Sequence, residues 1–382
     1  MSNRSLILPI GILAGGIIGA GVFALPYAVS QSGIIPGLGY LALAAIAYSI
    51  IHLMYADIML RTLGEHRFVG YAERYLGPSF RLLTTAMAVV EMLFVLTIYL
   101  ILSKSFSGLI VPGAGSELLM IVFWLFGSAA IFLSLKRLAF SETVVTFGML
   151  AIIAILFILG LPHLERFAAL PLFGAPVAFL LPLPAILFAL SGRVAIPSVV
   201  DYFKKRHVAG AKNAVAGLRR TIWIGTVLPA LAYAIFIIGV IGLSPEVSSD
   251  AVSGLVGQVP LLVLGLIGIL GWLSLWSSYL LVGLDVFNTV HLDLKVPNWI
   301  AGLSVISIPM ALYLFGFDSF LVLVSIVGGI FLSLEGIFII VMWLRLNRLT
   351  NTPPAIFSAP RPITIKFLVL VFVAALIAVL FG

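Results

Sequence analysis

The sequence contains no cysteine, which excludes disulfides and thiolate metal sites and leaves the redox compartment unreadable. Charge is nearly as scarce. Only 9% of the 382 residues are Asp, Glu, Lys or Arg, against 62% hydrophobic, whereas a soluble domain carries about a quarter charged residues. Too little polar surface exists to clothe a water-facing globule. Nucleotide-binding glycine loops, nucleophile elbows and zinc motifs are also missing. The five histidines, His52, His66, His163, His207 and His291, are scattered without metal-ligand spacing. An enzyme, an ATP-driven pump and a resident cofactor are therefore not expected.

What the chain has instead is long apolar runs, and a mean hydropathy of +1.25. A helix needs about 20 apolar residues to cross a hydrocarbon core of roughly 30 Å. On that basis eleven spans are predicted, near 6–30, 34–60, 83–111, 117–135, 140–161, 176–200, 220–243, 259–289, 298–316, 318–344 and 363–381. Barrel strands would be about 10 residues long and alternating, so the expectation is an all-α integral membrane protein. The first run is too long and too interrupted for a signal peptide.

The net charge of +7 is unevenly placed. With the N-terminus in the cytoplasm and alternating sides, eighteen of the 21 basic residues fall on inner segments, from Arg4 through Lys136 and Arg137 to Lys366. Arg166 alone falls outside, and Lys104 and Arg193 lie within spans. This positive-inside bias predicts a multi-pass protein of the cell membrane with the N-terminus inside and the C-terminus outside, and it points to lipid rather than nucleic acid as the partner. The 61–82 connection, with Phe68, Tyr71, Tyr75 and Leu76 among Arg67, Glu73 and Arg74, reads either as an amphipathic segment in the interface plane or as a solvated loop. Thr350 to Pro362, with four prolines, reads as a linker.

Glycine interrupts two of the spans. The first holds Gly15-Gly16-Ile17-Ile18-Gly19-Ala20-Gly21-Val22 and then Pro26; the sixth holds Ser191-Gly192-Arg193 and then Pro197. Glycine costs a helix interior about 1 kcal/mol relative to alanine, and proline about 3. Breaks five spans apart suggest related repeats, at about 6–161 and 176–344, with 363–381 as an extra helix. Interrupted helices at matching places in two halves point to a transporter binding site. Close helix packing through small residues such as Gly15 and Gly19 is the competing explanation for the first break.

These residues resemble a known group. Gly16 to Tyr27 is similar to the first-helix motif of the amino acid/auxin permease and aromatic amino acid permease families, and Phe188 to Ser198 to their sixth helix. Trp276-Ser277-Ser278-Tyr279-Leu280, with Asp293-Leu294, resembles their eighth helix and the loop after it. The resemblance implies the leucine-transporter fold of the amino acid–polyamine–organocation superfamily, a five-plus-five inverted repeat with helices 1 and 6 broken. It also implies amino acid transport by cation symport, with aromatic or large neutral cargo. A membrane-embedded nutrient receptor on the same fold is the alternative. Two departures stand out: Arg193 occupies a position more often histidine or neutral, and helix five lacks the buried lysine of some proton-driven relatives.

An amino acid presents a carboxylate and an ammonium group together. The carboxylate is expected at the break beside Gly19, on the amides of Ala20, Gly21 and Val22, where a helix N-terminus turns its positive end inward. The resemblance places the ammonium on the carbonyls of Phe188 and Ala189, beside Ser191, and suggests Tyr99 as a further carboxylate contact. Arg193, costing at least about 2.5–3.5 kcal/mol at the bilayer centre unless paired or hydrated, either faces an aqueous cavity or pairs with Glu91, Asp285 or Glu335. It reads as a group that binds the cargo carboxylate, as an ion pair that changes between transport states, or as a permanent structural pair. For coupling, the resemblance suggests sodium at the carbonyls of Gly15 and Ile18 with Ser277 and Ser278, an all-oxygen set suited to a hard cation. Protons on Glu91 or Glu335 are the other candidate. Lys104 is expected to snorkel, Asp57 and Glu142 to be interfacial, and Asp285 to meet Arg4 as an inner gate. Oligomeric state is not readable.

Overall fold

The computed structural model describes residues 6–64, 66–111, 113, 115–132, 142–206, 211–350, 354–356 and 361–381. Arg4, Lys136, Arg137 and His207, and the side chains of Glu142, Lys212 and Asp293, lie outside that set, so the Arg4 gate does too.

The described residues form helices and no strand. In chain order they are α1 (Ile7–Ile17), α2 (Leu25–Ser32), α3 (Ile34–Arg61), α4 (Phe68–Leu76), α5 (Ser79–Ile110), α6 (Gly115–Phe132), α7 (Glu142–Gly160) and α8 (Leu164–Ala168). There follow α9 (Pro182–Leu190), α10 (Ile196–Arg206), α11 (Ala211–Leu243), α12 (Leu261–Asn288), α13 (Asn298–Leu314), α14 (Phe320–Ile326), α15 (Leu332–Leu349) and α16 (Pro362–Phe381). Eight helices are long and apolar enough to cross a membrane, and a ninth results when α1 and the stretch Ala20–Ser32, bent by 51°, count as one broken span. Two shorter apolar helices, Gly115–Ile131 and Asn298–Leu314, lie where the fourth and ninth runs were read.

Both glycine clusters do end a helix. After α1, Ile18 turns extended (φ −70°, ψ 108°) and the chain restarts as a 3₁₀ turn, Ala20–Ala24, that feeds α2. After α9, Ser191 turns extended (φ −62°, ψ 124°), and a 3₁₀ turn over Arg193–Ala195 leads into α10. Neither break uses a left-handed residue. Glycine is needed here for room rather than for backbone freedom.

The broken helices sit between α3 and α11. α1 packs on α11, and α9 packs on α3. Around them α12 lies along α5, and α7 along α11. Beyond α14 the chain runs through a π-helical turn, Val327–Phe331, into α15. A side-chain carbon on Gly328 would collide with the Pro184 carbonyl, so this turn rests directly on α9, the first half of the sixth span.

The 61–82 connection is not a plain loop. It folds as α4, whose apolar residues Phe68, Tyr71, Ala72, Tyr75 and Leu76 are buried. Arg345 caps its C-terminus by donating to the carbonyls of Tyr75 (2.8 Å) and Leu76 (3.2 Å). The amphipathic face is thus spent on protein rather than on lipid.

Candidate functional site

The two breaks touch. A side-chain carbon on Gly21 would fall 2.6 Å from the Cα of Ala189 and 2.9 Å from its nitrogen. One on Gly16 would fall 2.7 Å from the Cβ of Ala195, and one on Gly192 would strike Ile17 and His52. Three glycines therefore let the two interrupted spans lie close together, backbone against backbone at Gly21 and Ala189. Gly19 has open space instead, its nearest neighbour being the Ile17 carbonyl at 4.0 Å.

Interrupting a helix frees peptide groups, and each freed group must find a partner. The Val22 amide is taken by the Gly19 carbonyl at 3.4 Å, so of the three expected donors it is already engaged. On the sixth span, Tyr48 of α3 donates to the Leu187 carbonyl at 2.9 Å. Tyr233 of α11 donates to the Ala189 carbonyl at 3.0 Å and lies 2.9 Å from the Ile17 carbonyl. Of the two carbonyls expected to receive an ammonium, Ala189 is therefore occupied by a phenol. The carbonyls of Phe188 and Leu190 have no such partner among the described residues.

Arg193 resolves the choice among three acids. Its Nε lies 2.5 Å from Glu335 Oε2 on α15, with both side chains nearly buried, at 15% and 8% exposure. The N–H axis is not aligned for a hydrogen bond, so charge rather than direction holds the contact. The guanidinium also stacks 4.7 Å above the Phe68 ring of α4 and reaches the Tyr55 phenol. Glu91 on α5 lies within electrostatic reach of both Arg193 and Glu335. Asp285 takes no part; it faces Arg67 at 3.9 Å, with both side chains exposed.

Tyr99 faces Ser278 across the α5–α12 contact, Ser277 is fully buried, and Gly15 lies against the Thr146 hydroxyl of α7. Ser191 is half-buried in the break itself.

Two charged residues near span ends have protein partners. Asp57 is fully buried. It accepts from Arg61 (3.1 Å), Trp343 (2.9 Å) and the amides of Ala355 (2.6 Å) and Ile356 (3.2 Å), pinning the linker before the last helix to α3. Lys104 does not snorkel freely; its Nζ lies 2.8 Å from Glu117 and 3.3 Å from the Tyr313 hydroxyl.

Sequence reading passed over a polar stripe on α3. Tyr48, His52 and Tyr55 follow one another at helical spacing, so they share a face. They meet, in order, the Leu187 carbonyl, Gly192 with Thr226 (His52 Nδ1 3.1 Å from Thr226 Oγ1), and Arg193. The spacing was visible in the sequence; what it faced was not.

The fold is shared with solved transporter structures. An inward-facing structure of Mhp1 superposes with a TM-score of 0.66 at 16% identity, covering 97% of this chain and 88% of that one. MhsT in complex with L-phenylalanine gives 0.64 at 17%, covering 99% and 98%. A mutant form of the Eremococcus coleocola manganese transporter gives 0.60 at 14%, covering 98% and 87%. No curated protein sequence matches the chain. The bundle, with its broken first span, is that of a multi-pass membrane protein, and its family match makes it a transporter rather than an enzyme. More narrowly, the chain belongs to the tryptophan/tyrosine permease family, whose model matches residues 2–377.

Proposed function

We propose that the protein is a symporter of aromatic or other large neutral amino acids, working by alternating access in the cell membrane. Its first ten spans would form two inverted repeats of five, with the eleventh added, the N-terminus cytoplasmic and the C-terminus outside. The observation that carries this reading is the contact of two helix breaks at Gly21 and Ala189, which brings the peptide groups of both interrupted spans to one point. An amino acid is a ligand with complementary charge at both ends. The family match supports the substrate class, as does the L-phenylalanine in the complex of MhsT.

For coupling, the proton is the favoured ion. One guanidinium, Arg193, faces two carboxylates, Glu335 in contact and Glu91 within reach. Inside a membrane an unbalanced charge is costly, and a bound proton removes it. Breaking and remaking the Arg193–Glu335 pair then links protonation to movement of the sixth span against α15.

Reconstituted protein tests this. Uptake of a panel of amino acids into proteoliposomes should be driven by an imposed pH gradient, inside alkaline, and not by a sodium gradient alone. Saturable binding of aromatic amino acids without uptake would make the protein a receptor instead. Uptake driven only by sodium would return the coupling site to Gly15, Ile18, Ser277 and Ser278.

A further inference from the structure

α1 and α9 both end at the breaks, so two helix C-termini, each with a partial negative charge, converge on one place. The group that meets them comes from an unbroken helix. Tyr233 of α11 is fully buried, and its hydroxyl lies 2.9 Å from the Ile17 carbonyl at the end of α1 and 3.0 Å from the Ala189 carbonyl in the last turn of α9. The Gly19 amide faces the same oxygen. One hydroxyl thus makes contacts with both broken spans.

We propose that Tyr233 is the positioning residue of the cargo site. It fixes the two breaks in register and, by occupying the Ala189 carbonyl, directs the amino group of the cargo to the carbonyls of Phe188 and Leu190. This rests on reading the breaks as the amino acid site. Phenylalanine at this position would keep the packing and remove the hydroxyl, leaving the Ala189 carbonyl and the Gly19 amide without that partner among the described residues. Such groups are expensive, and the breaks would drift apart. A residue that positions cargo should alter half-saturation; one that merely supports the fold should alter the amount of folded protein.

Two measurements on the full chain decide this. In uptake and equilibrium binding of L-phenylalanine and L-tryptophan, Tyr233→Phe should raise half-saturation about tenfold and leave the maximal rate per folded molecule within about twofold. Tyr233→His, which keeps an N–H donor, should recover most of that affinity. Because the chain has no cysteine, Ser191→Cys can report on the break alone: a maleimide should label it several-fold faster in the Tyr233→Phe background. Equal labelling with unchanged half-saturation overturns the proposal, as does a fallen maximal rate at unchanged half-saturation. If the wild type binds but does not carry amino acids, the transport reading fails while binding and labelling still judge Tyr233. If Tyr233→Phe does not fold, Tyr233→His decides, and a tenfold loss of affinity in that variant overturns the proposal.

Discussion

Gly21 and Ala189 lie so close that a single methyl group on the former would stand 2.6 Å from the Cα of the latter. Backbone on both sides of a contact leaves no flexible side chain to yield. The first and sixth spans therefore meet at a distance that only glycine permits.

Replacing Gly21 with alanine should accordingly act as overpacking, with a loss of about 1–3 kcal/mol. Thermal unfolding in detergent should show a lowered midpoint. Uptake should fall below about a tenth of wild type, while Gly19→Ala, with open space beside it, should unfold near the wild-type midpoint.

The Arg193–Glu335 pair calls for a double-mutant cycle. Removing one partner of a buried pair costs about 3–5 kcal/mol, because the other charge is stranded. Glu335→Gln alone should be the less stable protein, and Arg193→Gln with Glu335→Gln should regain more than half of the loss. Neither should respond to a pH gradient in uptake. A double variant no more stable than the single one would mean that the 2.5 Å contact carries no energy.

Asp57 holds four donors from three parts of the chain. Asp57→Asn turns one acceptor into a donor that faces donors, at a cost of about 2 kcal/mol. Limited proteolysis should then cut faster around residues 350–356, where the Ala355 and Ile356 amides lose their anchor.

Asp250, in the connection between α11 and α12, is a pH probe. Burial pushes its carboxyl up, but the Ser105 and Ser253 hydroxyls, the Ser253 amide and Ser248 together hold it below the ordinary 3.8. A lowered folded value means that stability is fully present above that ordinary value and is lost as pH falls through the folded one. Asp250→Asn should be less stable than wild type by about 1–2 kcal/mol at neutral pH. The gap should close as melting is followed below about pH 4.

How much of this could be read from residues alone follows from the range of each signal. Glycine and proline act on their own backbone, so the interruptions at Gly15–Gly21 and Ser191–Gly192 were legible where they stand. Charge in a membrane demands a partner, so Arg193 was marked. Which acid answered it was a matter of three-dimensional placement, and the sequence left three candidates open. Tyr48, His52 and Tyr233 were missed because an aromatic or a histidine in an apolar helix looks like packing until the carbonyl opposite is known. Asp57 looked interfacial because it lies near a span end, and only the fold shows Trp343 and the 354–356 segment closing over it.

The π-helical turn at Val327–Phe331 has a rotational consequence. A wide turn adds one residue to a helix, and one residue corresponds to about 100° around the axis. The wheel drawn for Phe320–Ile326 is therefore out of phase with the wheel for Leu332–Leu349. Glu335 points toward Arg193 because of that offset. Shortening the stretch by a single glycine would swing the carboxylate to another side of the helix without altering any residue in the ion pair.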